Sequence, residues 1–164
     1  MSAINVGAIG NLNELETLCD LSVRALDEII ELQDYPVKAA EVSTKSRRSL
    51  GIGYIGLAHY LAKNGVKYSD PKAWELVDRL SEAFQYYLLR ASCDIAEEKG
   101  KCSAFDRTKY ADGLLPIDHY KKEVDEIVVH KQRMAWETLR KDILKYGLRH
   151  STLSAQMPSE SSSV

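Results

Sequence analysis

The residue types best suited to chemistry stand together near residue 160: Pro158, Ser159, Glu160, Ser161 and Ser162, followed by Ser163 and Val164. Proline lacks an amide hydrogen and fixes φ near the value of a helix start. The hydroxyls and the acid that follow suit a first helical turn, whose leading amides have no partner inside the helix. Such amides, with serine hydroxyls beside them, make a seat for phosphate. Composition alone also fits a loose serine-rich segment.

Other chemistry-bearing residues are scattered. Cys19, Cys93 and Cys102 are odd in number, and no pair has C-x-x-C spacing. This argues against a disulfide framework or a cysteine zinc site and fits a reducing cytosol. His119 and His130 have no cysteine or second histidine at metal-ligand spacing, so both read as surface or structural residues. Lys45, Arg47 and Arg48 form a basic cluster. It reads as a solvated lead-in to a buried strand, with phosphate contact as the alternative. The acids Glu16, Asp20, Asp27, Glu28 and Glu31 read as a solvated helix face. Residues 50–56, L-G-I-G-Y-I-G, place glycines at 51, 53 and 56, the spacing of G-x-G-x-x-G, but no strand of six or so residues precedes Gly51. A dinucleotide fingerprint is therefore rejected. Gly51 and Gly53 instead permit close backbone packing in or beside a strand.

The elements that would position these residues follow from periodicity. Residues 2–9 are small and apolar and suggest a short strand. Asn11 and Glu14 have capping-box spacing, and Leu15, Leu18, Cys19, Leu26, Ile29 and Ile30 give a helical stripe ending near Asp34. Residues 37–49 are polar and weakly patterned. A strand around residues 50–56 and a helix over 57–63 follow, the latter stopped by Asn64-Gly65. Asp70-Pro71 opens a long helix to Lys99, and Gly100 ends it. Trp74, Leu76, Val77, Leu80, Ala83, Phe84, Tyr87, Leu88, Ala91 and Ile95 give it a broad apolar face. Residues 102–116 read as a loop with short turns. A last helix spans about 133–146, with Trp136, Leu139, Ile143 and Leu144 on one side. A closing strand covers 151–157. Apolar strands separated by helices predict an α/β fold with parallel strands under crossover helices.

The totals set limits. With 164 residues, one domain is expected, and 45% apolar residues can bury a core. Twenty-two basic against 24 acidic residues give a net charge of −2, no basis for a nucleic-acid binder. The most apolar stretch, 50–62, is interrupted by three glycines and His59, and the N-terminus has no basic lead. Three isolated strands do not make a sheet covered on both faces, so the pattern is expected to be incomplete on its own.

Several motifs then resemble one family in order. They are S-A-I-N-V-G-A-I, Q-D-Y-P, R-R-S-L-G-I-G, A-K-N-G-V-K-Y-S-D, Q-Y-Y-L-L-R-A-S, G-L-L-P-I-D-H-Y-K-K and L-R-H-S-T-L-S-A-Q-M-P-S-E-S-S-S. Together they resemble the large, catalytic subunit of class I ribonucleotide reductase across essentially the whole chain. The resemblance implies a helix-rich middle segment of the family's ten-stranded α/β barrel over residues 1–164. It implies that residues 158–164 form the substrate-phosphate loop and a helix start. Pro158, Ser159, Glu160, Ser161 and Ser162 would hold the diphosphate of a ribonucleoside diphosphate. The amides of Glu160, Ser161 and Ser162 would face the phosphate, and the Glu160 side chain would point away. Ser161 stands where some relatives have threonine, which keeps the hydroxyl.

The family's N-x-C-x-E radical cysteine, its reducing cysteine pair and its paired relay tyrosines have no counterpart in this sequence. Cys19, Cys93 and Cys102 fall at none of those positions, and Tyr86-Tyr87 belongs to the long helix. The implied function is part of a ribonucleoside-diphosphate reductase, inactive alone. Its partners would be complementary fragments of the large subunit and the small radical-generating subunit. The cofactor would be the small subunit's radical, used with a thiol reductant. The setting would be cytoplasmic, with no membrane or nucleic acid. The alternative is a stand-alone helical interaction or regulatory protein derived from the reductase.

Overall fold

The computed structural model describes residues 1–128 and 131–157. The chain runs β1 (Ser2–Asn5), α1 (Glu14–Leu32), α2 (Lys38–Arg47), β2 (Ile52–Ile55), α3 (Leu57–Lys63), α4 (Pro71–Lys99) and α5 (Trp136–Tyr146). Four short 3-10 turns lie between α4 and α5. β1 and β2 pair in parallel, with Ser2 opposite Ile52 and Asn5 opposite Ile55. The closing segment then lies along the other side of β2, joined by a parallel bridge between Ile52 and Ser154. The Ile52 amide donates to Leu153 O at 2.9 Å, and the Ala155 amide to Ile52 O at 3.1 Å. Three parallel segments thus lie side by side with β2 in the centre, helix-rich as the spacing predicts.

α1 packs on α4 because both carry apolar residues at helical spacing. Leu15, Cys19, Val23 and Ile30 of α1 are buried, as are Leu80, Phe84, Leu88, Ala91 and Ile95 of α4. Each large side chain so buried contributes on the order of 2 kcal/mol. Leu153 of the closing segment, and Trp136, Leu139 and Ile143 of α5, complete the core.

Some expectations shift for identifiable reasons. The first strand ends at Asn5, where the Asn5 side chain accepts the Gly7 amide at 3.1 Å and turns the chain. Residues 37–49 contain a ten-residue helix, α2, with no buried side chain. An apolar stripe arises only where a face is buried, so none marks α2. α1 starts at Glu14 rather than Asn11. Glu14 still reaches back to the amides of Gly10 and Asn11, at 3.0 and 3.1 Å. Asp70 sits at the α4 cap but turns its carboxylate onto the Lys67 amide, at 2.8 Å. α5 begins at Trp136 because buried Glu82 of α4 takes the amides ahead of it. Its Oε1 accepts from Arg133 N at 2.7 Å, Met134 N at 3.2 Å and Trp136 Nε1 at 3.0 Å. Trp74 and Leu144, assigned to apolar faces, are 39% and 54% exposed.

Two solvated readings are overturned. Asp27 is 1% exposed and Arg48 3% exposed. The other acids of the α1 face stay at least partly exposed, Glu31 among them. His119 is exposed, as expected for a surface residue, and His130 lies outside the described residues.

Candidate functional site

Parallel strands in α/β folds present ligand sites at their carboxyl ends. Here that edge holds Asn5, Gly56 and the residues approaching Pro158. Gly56 has φ +77°, and a Cβ there would collide with Asn5 Oδ1, so the turn from β2 into α3 requires glycine. Gly53 is constrained by backbone. A Cβ there would lie 2.6 Å from Ala155 O and 2.9 Å from Met157 Cε. The close packing expected of this glycine is therefore against the last described residues before Pro158.

Gln156 extends the ladder where the backbone stops doing so. Its Nε2 donates to Tyr54 O at 2.7 Å, and its Oε1 accepts the Tyr54 amide at 3.4 Å. The side-chain amide thus stands in for a strand backbone beside β2. The Ser154 hydroxyl donates to Gln85 Oε1 of α4 at 2.7 Å. Pro158, Ser159, Glu160, Ser161 and Ser162 lie outside the described residues. What is described is their approach: Leu153 buried in the core, Ala155 against Gly53, and Gln156 clasping Tyr54.

The amino ends of β2 and the closing segment are built differently. α2 stops at Arg48, a non-glycine residue with φ +48°, which turns the chain toward β2 and sends the guanidinium inward. Arg48 Nε and Nη2 donate to Asp27 Oδ1 at 2.7 and 2.5 Å, and Nη2 also to Asp27 O at 3.0 Å. Arg48 Nη1 pairs with Glu31. Arg149 Nε reaches Asp27 Oδ1 at 3.3 Å, and His150 Nε2 reaches it at 3.0 Å. The carboxylate only accepts, so His150 carries its hydrogen on Nε2. The Ser92 hydroxyl donates to His150 Nδ1 at 3.0 Å and accepts the His150 amide at 3.2 Å.

Burial pushes the Asp27 carboxyl upward, but the bonds from His150 and Arg48, with the charges of Arg48 and Arg149, hold it well below the usual carboxylate range. Burial pushes His150 below its ordinary value, and Asp27 only partly offsets this. Sequence reading missed this cluster, although Asp27 continues the buried series Leu15, Cys19, Val23 and precedes Ile30 in phase. An acid in the apolar phase of a helix was the available signal.

Among the described residues, no three His, Cys, Asp or Glu side chains are arranged to hold a metal, and no helix is long and apolar enough to cross a membrane. A family model described as "Ribonucleotide reductase, barrel domain" matches residues 1–164. The chain belongs to the ribonucleotide reductase family. It is 58% identical over 163 residues to a ribonucleoside-diphosphate reductase subunit alpha of Buchnera aphidicola, covering 99% of this chain and 21% of that protein. The Haemophilus influenzae subunit alpha is 57% identical over 163 residues, 99% of this chain and 22% of its own length. The Escherichia coli reductase 1 subunit alpha is 54% identical over 134 residues, 82% of this chain and 18% of its own length. The chain therefore spans about one-fifth of the length of these reductase relatives.

Reductase chemistry uses thiols, but the three cysteines here do not fit such a role. All are buried. Burial pushes the Cys19 and Cys93 thiols up to about 12 and raises Cys102, which keeps them protonated and unreactive. Tyr86 and Tyr87 meet edge to face at 5.6 Å, and Tyr86 packs likewise on Trp136 at 5.3 Å. Tyr86 thus serves the α4–α5 interface, with Tyr87 packed against it.

Proposed function

We propose that residues 1–164 form a central segment of the barrel domain of a ribonucleoside-diphosphate reductase large subunit. In this reading they supply strands and crossover helices to the ten-stranded α/β barrel. Residues 158–164 carry the substrate-phosphate loop and the helix start behind it. Pro158 shapes the turn, the amides of Glu160, Ser161 and Ser162 meet the diphosphate, and the hydroxyls of Ser161 and Ser162 add bonds. The assembled enzyme reduces ribonucleoside diphosphates to deoxyribonucleoside diphosphates for DNA precursor synthesis, in the cytoplasm. Its partners are the rest of the large subunit and the small subunit, whose radical cofactor and a thiol reductant supply the redox chemistry. This chain binds and positions; it does not abstract hydrogen or deliver electrons.

The observation that carries the reading is the course of the closing segment. It runs parallel to β2 and brings Met157 to the carboxyl edge of the sheet, directly ahead of P-S-E-S-S. The outer sides of β1 and of the closing segment have no strand partner among the described residues, as expected of a sheet that other parts of the barrel extend. The test is Ser161→Ala with Ser162→Ala in a large subunit containing this segment. The backbone amides survive, so the KM for ribonucleoside diphosphate should rise by only roughly five- to tenfold. Unchanged affinity would remove the phosphate role. Purified alone, the chain should turn over no ribonucleotide; measurable reduction with small subunit and reductant would overturn the division of labour.

A further inference from the structure

We propose that Asp27, Arg48 and His150 are positioning residues for the substrate-phosphate segment, and that His150 makes this clamp give way in mild acid. The proposal rests on the phosphate reading above. Its geometric basis is independent of residues 158–164, because every group involved is described.

Asp27 ties three parts of the chain to α1. Arg48 leads into β2, His150 and Arg149 lead into the closing segment, and Ser92 joins them from α4. The Ser151 amide donates to Arg47 O at 2.9 Å, and the Leu50 amide to Thr152 O at 2.8 Å, so the two strand entries are also laced to each other. A parallel segment that slips by one residue turns its side chains to the opposite face. With Ser92 and Asp27 gripping His150, such a slip is barred, and the residues that lead to Pro158 start from a fixed point.

The clamp favours His150 in its neutral form. A proton on Nδ1 would force the Ser92 hydroxyl, which now donates there, to turn and accept from both the ring and the His150 amide. It would also place a third cation beside Arg48 and Arg149, both bonded to Asp27. Asp27, Arg48 and Arg149 act directly on the ring; Glu31 from α1, Lys45 from α2 and Lys99 from α4 join the same network through Asp27 and Glu31, and Glu28 through Lys99. Glu31 is already engaged by Arg48, and Glu28 by Lys99, so neither is free to offset a new positive charge. When the segment opens, the ring regains an ordinary pKa of about 6.5 and takes up a proton. Opening should therefore become easier as pH falls below that value.

The test is amide hydrogen exchange at Ser151 and Ala155, whose amides donate to Arg47 O and Ile52 O, corrected for intrinsic rates, from about pH 7.5 to about pH 5. In the wild type, protection should fall as pH drops below about 6.5, by at most roughly tenfold per pH unit. In His150→Gln, whose amide can still donate to Asp27, protection should not vary over this range; His150→Asn is the second variant should Gln disturb folding. Protection that does not change with pH in the wild type, or the same slope in a variant, overturns the clamp. In a large subunit containing this segment, the KM for substrate should rise in acid for the wild type relative to His150→Gln, with the two kcat values staying in constant ratio. If the segment loosens but KM does not follow, while Ser161→Ala and Ser162→Ala do raise KM, the positioning role fails and the phosphate reading stands. If neither acid nor the serine variants move KM, the phosphate reading itself fails.

Discussion

The two ends of the same parallel strands are held by opposite means. At the amino ends, a buried carboxylate gathers two guanidiniums and an imidazole. At the carboxyl ends, the same segment is held by shape and neutral contacts: Gly53 lets Ala155 come close, and Gln156 reads Tyr54 through its amide. Charge inside a core is strong but unforgiving, because losing one partner strands the other. Neutral contacts at a half-exposed edge are weaker and leave room for adjustment. The difference leaves the amino end of the closing segment fixed and its carboxyl end free to adjust.

The sharpest way to break this contrast is Asp27→Asn. The volume is kept and only the charge goes, leaving buried Arg48 with the partly exposed Glu31 as its remaining counter-ion. The expected loss is about 3–5 kcal/mol, read by urea or thermal denaturation of the chain. A loss below about 1 kcal/mol would place the cluster among ordinary surface pairs and abolish the contrast.

How much of this was legible in the sequence follows the same division. The helices α1, α3 and α4 announce themselves through apolar spacing, and Gly53 through its place in L-G-I-G-Y-I-G. The motif order carries the family. The buried cluster stayed hidden because its members are far apart in sequence and each looks solvated alone. Asp27 sits among acids, Arg48 among basic residues, and only folding places them together. α2 was invisible for the opposite reason, since a helix that buries nothing leaves no stripe. Glu82, which replaces a local cap for α5 from another helix, has no local signature either.

At the carboxyl end, Gly53→Ala should cost about 1–3 kcal/mol, because Ala155 O must retreat from the new methyl group. The displacement should appear as altered amide shifts at Ala155–Met157 with little change around His150. Equal shifts at both ends would show that the strand moves as one rigid rod, and the two anchors would then not be independent.

Acid separates the anchors without a mutation. Burial lowers the His150 pKa in the folded chain, so below about pH 6.5 the unfolded chain holds a proton that the folded chain lacks. Stability is therefore full above that pH and declines as pH falls toward the folded value, by up to about 1.4 kcal/mol per unit. Asp27 acts in a lower window. Its folded pKa is depressed, so its contribution is lost only as pH drops below about 4, the ordinary aspartate value. A denaturation series across pH should show a first decline absent from His150→Gln and a second, lower one present in both.

The smallest effect belongs to Gln156→Ala. Two hydrogen bonds to Tyr54 disappear, but the site is exposed, and water replaces the lost partners at Tyr54 N and O. The stability cost should be about 0.5–1 kcal/mol. The informative reading is local: exchange at Tyr54 should quicken while Ser151 keeps its protection, because the ionic anchor still holds that end. If loss of this one amide loosened Ser151 as well, the neutral edge would be supporting the buried clamp rather than the reverse. The fixed point of the closing segment would then lie at Gln156, two residues before Pro158, and not at Asp27.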